Sequence, residues 1–222
     1  MTNAARRFDP AARITGASRT DAGVHALRQV ASLATVARLS PAEIVRALNA
    51  SIPTDIRVLA AAEAAAGFDA RRDAAGKRYA YLLDTATVAS PLRRRYAWHV
   101  PRPLDVGAMR RALAALRGRH DFSAFCAAAG RDREPTCVLR AVHVRRRSGH
   151  LAILISADRF LHHMARNIVG SVVAVGCGAR DPGWIAELLA SRDRTRGAAT
   201  APAHGLTLVR VLYPSTRACA RS

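Results

Sequence analysis

This chain of 222 residues is short of negative charge: 16 Asp and Glu stand against 35 Lys and Arg, a formal net charge of +19. Lysine is nearly absent, Lys77 being the only one, so the excess is arginine. A planar guanidinium binds phosphate bidentately and stacks on bases, so the expected partner is a polyanion, above all a nucleic acid. A coding bias toward Ala, Arg and Gly is the competing source of the charge. The arginines are spread along the whole chain, which argues against a basic amphipathic helix lying on a membrane. No apolar run is long enough to cross a bilayer, and even Ile168 to Val175 is interrupted by glycine. The first residues lack the hydrophobic segment of a secretory signal. Cys126, Cys137, Cys177 and Cys219 stand far apart with no Cys-x-x-Cys pair. That spacing excludes a zinc knuckle and suits reduced thiols in a cytoplasm. A Gly-x-x-x-x-Gly-Lys-Ser/Thr loop for a nucleoside triphosphate is also missing, as is a Ser/His/Asp order.

What is present is enough for a folded protein: half of the residues are hydrophobic. Strands are expected at Gln29 to Thr35, Ile56 to Leu59 and Lys77 to Leu83. In the last of these, Tyr79, Tyr81 and Leu83 alternate on one face. Ser40-Pro41-Ala42-Glu43 has the form of a capping box, opening a helix to about Asn49. Val100-Pro101-Arg102-Pro103 is the best boundary, dividing the chain into halves 1–102 and 103–222. Beyond it, Asp105 starts a helix carrying Met109, Leu113 and Leu116 that stops near Gly118. Strands Leu139 to Arg146 and Leu151 to Ser156 follow, joined by the turn Ser148-Gly149. Helices are expected from Phe160 to Val175 and from Asp181-Pro182 through Leu189, with a closing strand Leu206 to Leu212. Two α+β halves with antiparallel sheets result.

Three places carry candidate chemistry. Asp21 lies in the turn Arg19-Thr20-Asp21-Ala22-Gly23, where it either ties down a neighbouring arginine or acts on what the arginines bring. A purely structural turn is the plain alternative, because Gly23 and Asp are both turn formers. The helix that starts at Phe160 is apolar on two sides, so Arg166 is expected in a desolvated place that demands a carboxylate. Acids are scarce, and Asp21 is the candidate; such a pair keeps Asp21 ionised, ready as a nucleophile or electrostatic catalyst. Tyr79 is a base-stacking candidate or a core aromatic, and Tyr81 reads as core. His162-His163 lacks a third ligand at helical spacing, so an ordinary packing pair is expected and no metal site. His25, inside the Asp21 turn, is expected to make a supporting hydrogen bond.

Taken together, Ser18-Arg19-Thr20-Asp21-Ala22-Gly23-Val24-His25-Ala26 resembles the signature loop of bacterial tRNA pseudouridine synthases acting on positions 38, 39 and 40 of the anticodon arm. Phe68-Asp69-Ala70-Arg71 with Lys77-Arg78-Tyr79-Ala80-Tyr81 resembles that family's second motif. Phe160-Leu161-His162-His163-Met164-Ala165-Arg166-Asn167-Ile168-Val169-Gly170 resembles its third, and Ala201 to Val209 its closing strand. The resemblance implies pseudo-symmetric α+β halves around a central cleft, a homodimer, tRNA as partner, and catalysis with neither metal nor organic cofactor. It also implies Asp21 as the catalytic aspartate and Arg166 as its ion-pair partner. By the same resemblance Arg19 fills the gap left by an everted nucleotide, Tyr79 stacks on the target uracil, and Leu206 lines the base pocket, with His25 beside the substrate. The chain departs from the family where a Tyr-Asp-Gly strand and a Gly-Trp-Gln stretch are usual before the signature loop. The expectation is that the first strand and most of the first helix are missing, which leaves a non-catalytic tRNA-binding remnant as the alternative reading. Arg28 and His204 also stand where glycine and an acid are common.

Overall fold

A computed structural model describes residues 1–127, 134–147 and 149–214. By their contacts these fall into two compact units, both discontinuous in sequence. Of the described residues, the smaller holds Met1–Arg19, Gln29–Ala74, Tyr213 and Pro214; the larger holds those within Thr20–Arg28 and Ala75–Leu212. The expected division at residue 102 is therefore corrected. Strands from both sides of Val100-Pro101 hydrogen-bond into one sheet, so no boundary between units can fall there.

The smaller unit contains helix α1 (Thr2–Ala5), strand β1 (Arg13–Gly16), strand β3 (Ala31–Ala34) and helix α2 (Pro41–Asn49). β1 and β3 pair antiparallel, Ile14 opposite Leu33. The capping box forms: the Glu43 amide donates to Ser40 Oγ (3.4 Å), and the Glu43 carboxylate accepts from the Ser40 amide (2.8 Å). The strand expected at Ile56 to Leu59 does not form. Asn49 takes the place of a ladder there, accepting from the Val58 amide (2.9 Å) and donating to the Val58 carbonyl (2.8 Å). Phe68-Asp69-Ala70-Arg71 is a turn, in which Asp69 Oδ1 accepts from the amides of Arg71 and Arg72 at 2.8 Å each.

The larger unit is built on one sheet ordered β2-β9-β4-β8-β7-β6, with β5 also paired to β4. Its strands are β2 (His25–Ala26), β4 (Gly76–Asp84), β5 (Trp98–His99), β6 (Gly118–Asp121), β7 (Thr136–Arg147), β8 (His150–Ala157) and β9 (Leu206–Leu212). The α+β class holds, but the sheet is mixed: β2 runs parallel to β9, and β5 parallel to β4. Both parallel strands are two-residue pieces brought in by long connections, which hairpin logic does not anticipate. Register sets Tyr79 opposite Ile155, Tyr81 opposite Ile153 and Leu83 opposite Leu151, all of them buried. Alternation along both strands thus puts one face of the sheet in the core.

Among the described residues, the α-helices of this unit are α3 (Val106–Ala114), α4 (Met164–Gly176) and α5 (Trp184–Ser191). Asp105 caps α3, accepting from the Ala108 amide at 2.9 Å. α3 lies against α4 and β7. Among the described residues no helix is long and apolar enough to cross a membrane. Cys126, Cys137 and Cys177 form no disulfide. Ser148 and Cys219 lie outside the described residues; Gly149, at the β7–β8 connection, has φ +70°.

Candidate active site

The Asp21 turn begins the larger unit. The Val24 amide donates to the Asp21 carbonyl (3.0 Å), and Gly23 takes φ +83°, a left-handed conformation that favours glycine. The chain then runs straight into β2, where His25 and Ala26 sit beside Thr207 and Leu208 of β9. The Leu27 amide adds a bond to the Leu208 carbonyl at 2.9 Å. His25 Nε2 lies 2.8 Å from the Arg95 carbonyl, and its ring tilts against Tyr96. The His25 hydrogen bond thus ties β2 to the Arg95 carbonyl.

Arg166 reaches the same place from α4. The helix starts four residues later than expected, because His163 at its N-cap adopts φ +60°. Arg166 thus falls in the first turn. Its Nε donates to the Ala201 carbonyl (2.8 Å) and its Nη1 to Asp21 Oδ2 (3.2 Å). Side-chain exposure is 15% for Arg166 and 32% for Asp21, so the pair is mostly desolvated on the arginine side and open on the carboxylate side. A buried guanidinium without such acceptors would be costly. The carboxylate also sits by the N-terminal turn of α4, where negative charge is favoured.

The residues behind Arg166 make this geometry. Gly170 allows the 199–201 segment to run against α4: a Cβ there would stand 2.0 Å from the Ala199 carbonyl oxygen. Buried Asn167 donates to the Phe125 carbonyl (2.7 Å). Its Oδ1 accepts from Thr200 Oγ1 (2.7 Å) and Arg194 Nη2 (3.1 Å). This network fixes the segment that presents the Ala201 carbonyl to Arg166. Sequence reasoning missed Asn167 and Arg194; their partners are loop carbonyls and a threonine that no periodicity reveals.

Sequence reasoning also misjudged His162 and His163. They are not a helical surface pair. The left-handed turn at His163 stacks the two rings, centroids 3.9 Å apart, and aims both at Asp21. His163 Nε2 is 3.2 Å from Asp21 Oδ2, and His162 Nε2 is 3.9 Å from Oδ1. The missing third donor comes from a residue remote in sequence. Burial, followed by the neighbouring His162, holds the His163 imidazole below the ordinary histidine value.

The remaining candidates divide. Tyr79 is buried, edge-on to Phe160 with ring centroids 4.8 Å apart. Tyr81 is fully buried, donates from its hydroxyl to the Pro202 carbonyl (2.7 Å), and has its phenol pushed well above the ordinary value by burial. Leu206, also buried, opens β9 directly across the ladder from Tyr81. Arg19 is exposed and belongs to the smaller unit. Asp21, His162, His163 and Arg166 are thus one cluster, with Tyr81 and Leu206 paired on the sheet of the same unit.

Residues 2–71 and 112–214 match a family model described as tRNA pseudouridine synthase. Asp21, both histidines, Arg166 and Leu206 lie inside these segments, and Tyr79 outside them. The tRNA pseudouridine synthase A of Methylococcus capsulatus is 44% identical over 218 residues, covering 97% of this chain and 80% of that protein. The enzyme of the same name from Myxococcus xanthus is 45% identical over 201 residues, 90% of this chain and 76% of that one. That of Thiobacillus denitrificans is 44% identical over 203 residues, 91% and 78% of the two chains. With its family segments carrying the Asp21–Arg166 pair, the chain belongs to the tRNA pseudouridine synthase family.

Proposed function

We propose that this chain, an isomerase of the tRNA pseudouridine synthase family, converts uridine to pseudouridine at positions 38, 39 and 40 of the tRNA anticodon arm, with Asp21 as its catalytic residue. The observation that carries the reading is the partly exposed Asp21 carboxylate anchored through one oxygen to the more deeply set Arg166. Isomerisation breaks the N1–C1′ bond, turns the uracil over, joins C5 to C1′, and moves the C5 proton off while N1 is protonated. A base inside a duplex cannot turn, so the nucleotide must first leave the stack, at about a few kcal/mol.

Each side chain has a part in this reading. Surface arginines hold the phosphates and offset the cost of eversion. Arg19 fills the gap in the stack, Tyr79 packs against the extruded uracil, and Leu206 lines its pocket beside the His25-braced turn. Arg166 anchors Asp21 through Oδ2 and leaves Oδ1 as the less engaged oxygen. From there the carboxylate either attacks C1′ or C6, or removes the 2′ proton in a glycal route. The working form is a homodimer in the cytoplasm that needs no organic cofactor.

The test is direct. The purified protein is incubated with an unmodified tRNA transcript carrying uridines at the three positions and elsewhere. Pseudouridine is then mapped by mass spectrometry after a pseudouridine-specific label. Label confined to positions 38 to 40 is the expected result; label at other positions, or none, overturns the assignment.

A further inference from the structure

Asp21, His162 and His163 have donor chemistry beyond that of a carboxylate beside an arginine. One ligand atom from each lies within 4.8 Å of the other two. A tetrahedral zinc ion with bonds of about 2.0–2.2 Å holds its ligand atoms about 3.4 Å apart. His162 Nε2 stands 3.9 Å from Asp21 Oδ1 and His163 Nε2 3.2 Å from Oδ2, on either side of that value but each to a different oxygen of the carboxylate. Neighbouring residues ordinarily point their side chains apart. Here the left-handed backbone at His163, a conformation uncommon outside glycine, stacks the rings and turns both Nε2 atoms to one carboxylate. The side chains are 27 to 40% exposed, so an ion from solvent can reach all three.

We infer that these three residues form a reversible, inhibitory site for a late first-row divalent ion such as Zn²⁺ or Co²⁺. Two imidazoles and one carboxylate suit these borderline ions and not Mg²⁺, which keeps oxygen ligands and its waters. Ligation through Asp21 Oδ1 leaves Oδ2 on Arg166, which then orients the ligating carboxylate as outer-shell partners do. The nearby guanidinium charge makes the site weaker than a structural zinc site, which is why the ion acts as an inhibitor and not a resident. Inhibition follows because the ion takes the oxygen that must meet the sugar; this half of the inference rests on Asp21 being catalytic, and the binding half does not.

The experiment uses the full-length protein and Co²⁺ or Zn²⁺ as chlorides, at constant Mg²⁺. Co²⁺ titration of the free protein is expected to give visible bands of tetrahedral intensity at one ion per chain. The His162→Ala/His163→Ala double variant and Asp21→Asn are expected to weaken binding at least about 100-fold. Zn²⁺ is expected to slow wild-type turnover reversibly with chelator. The double variant, measured against its own metal-free rate, should lose that sensitivity by the same factor. Equal metal affinity in the double variant, which would point to thiols or tRNA as the sink, overturns the site. Binding at the site without inhibition overturns its inhibitory role, and the metal-free activity of Asp21→Asn separates that result from a wrong catalytic assignment.

Discussion

The two compact units are built from different material. In the smaller, the apolar cluster is Ala4, Ala5, Ala12, Leu48 and Ile52, with Phe8, Ile14, Leu33, Ile44 and Val58 half-buried around them. In the larger, Tyr81, Phe122, Phe125, Met109, Leu113, Leu151, Ile153 and Met164 are all fully buried. Stabilisation scales with apolar area removed from water, about 25 cal/mol per Å². A core rich in alanine therefore has less to offer per residue than one of aromatics and branched chains. The smaller unit leans on polar bracing instead. Its buried Asp9 accepts from Thr35 Oγ1 at 2.6 Å and from the amides of Val36 and Ala11 at 2.8 and 2.9 Å. The Asp21 cluster belongs wholly to the densely packed unit, where tight packing can hold side chains to fractions of an ångström.

Three substitutions sharpen this contrast. Gly170→Ala forces a methyl against the Ala199 carbonyl in the dense unit. A loss of about 3 kcal/mol is expected by chemical denaturation, with turnover falling further because the Ala201 carbonyl shifts from Arg166. Wild-type stability in this variant would mean the 199–201 segment yields freely. Leu48→Ala removes the largest buried aliphatic side chain of α2, and a loss of about 2 kcal/mol is expected. Hydrogen exchange should show lost protection in α2 with β8 unchanged; equal loss in β8 would make the units one cooperative body.

The smallest effect concerns Asp9, whose carboxyl is held below the ordinary range first by the Thr35 hydroxyl and then by the Val36 amide. The native state therefore binds fewer protons than the unfolded one. This contribution is present above the unfolded carboxylate pKa of about 3.9 and is lost as pH falls through it toward the folded value. Asp9→Asn should flatten the acid limb of the melting temperature against pH; an unchanged limb would assign it to other acids.

Much of this was legible where a local rule sufficed. Ser40 and Glu43 announced α2, and Leu206 to Leu212 is β9 residue for residue. The Asp21–Arg166 meeting followed from a helix apolar on two sides and a scarcity of acids. Legibility failed where the backbone left its common regions or where partners were remote. Nothing in Phe160 to His163 marks a left-handed residue, since glycine is the usual signal, so both the helix start and the aim of the histidines were misread. Ile56 to Leu59 is apolar enough for a strand, yet Asn49 satisfies its backbone and leaves Leu59 exposed. The pairing of β2 with β9 spans nearly the whole chain and involves two residues, too few to carry a pattern.

The proposed function requires that the Asp21 carboxylate perform the isomerisation while arginines elsewhere hold the RNA. Its most direct test is pseudouridine formation by Asp21→Asn beside the wild type, with tRNA affinity measured on the same preparations. The expected result is a loss of turnover of at least about a thousandfold, with affinity within about threefold because phosphate contacts dominate binding. Wild-type turnover in Asp21→Asn would contradict the account.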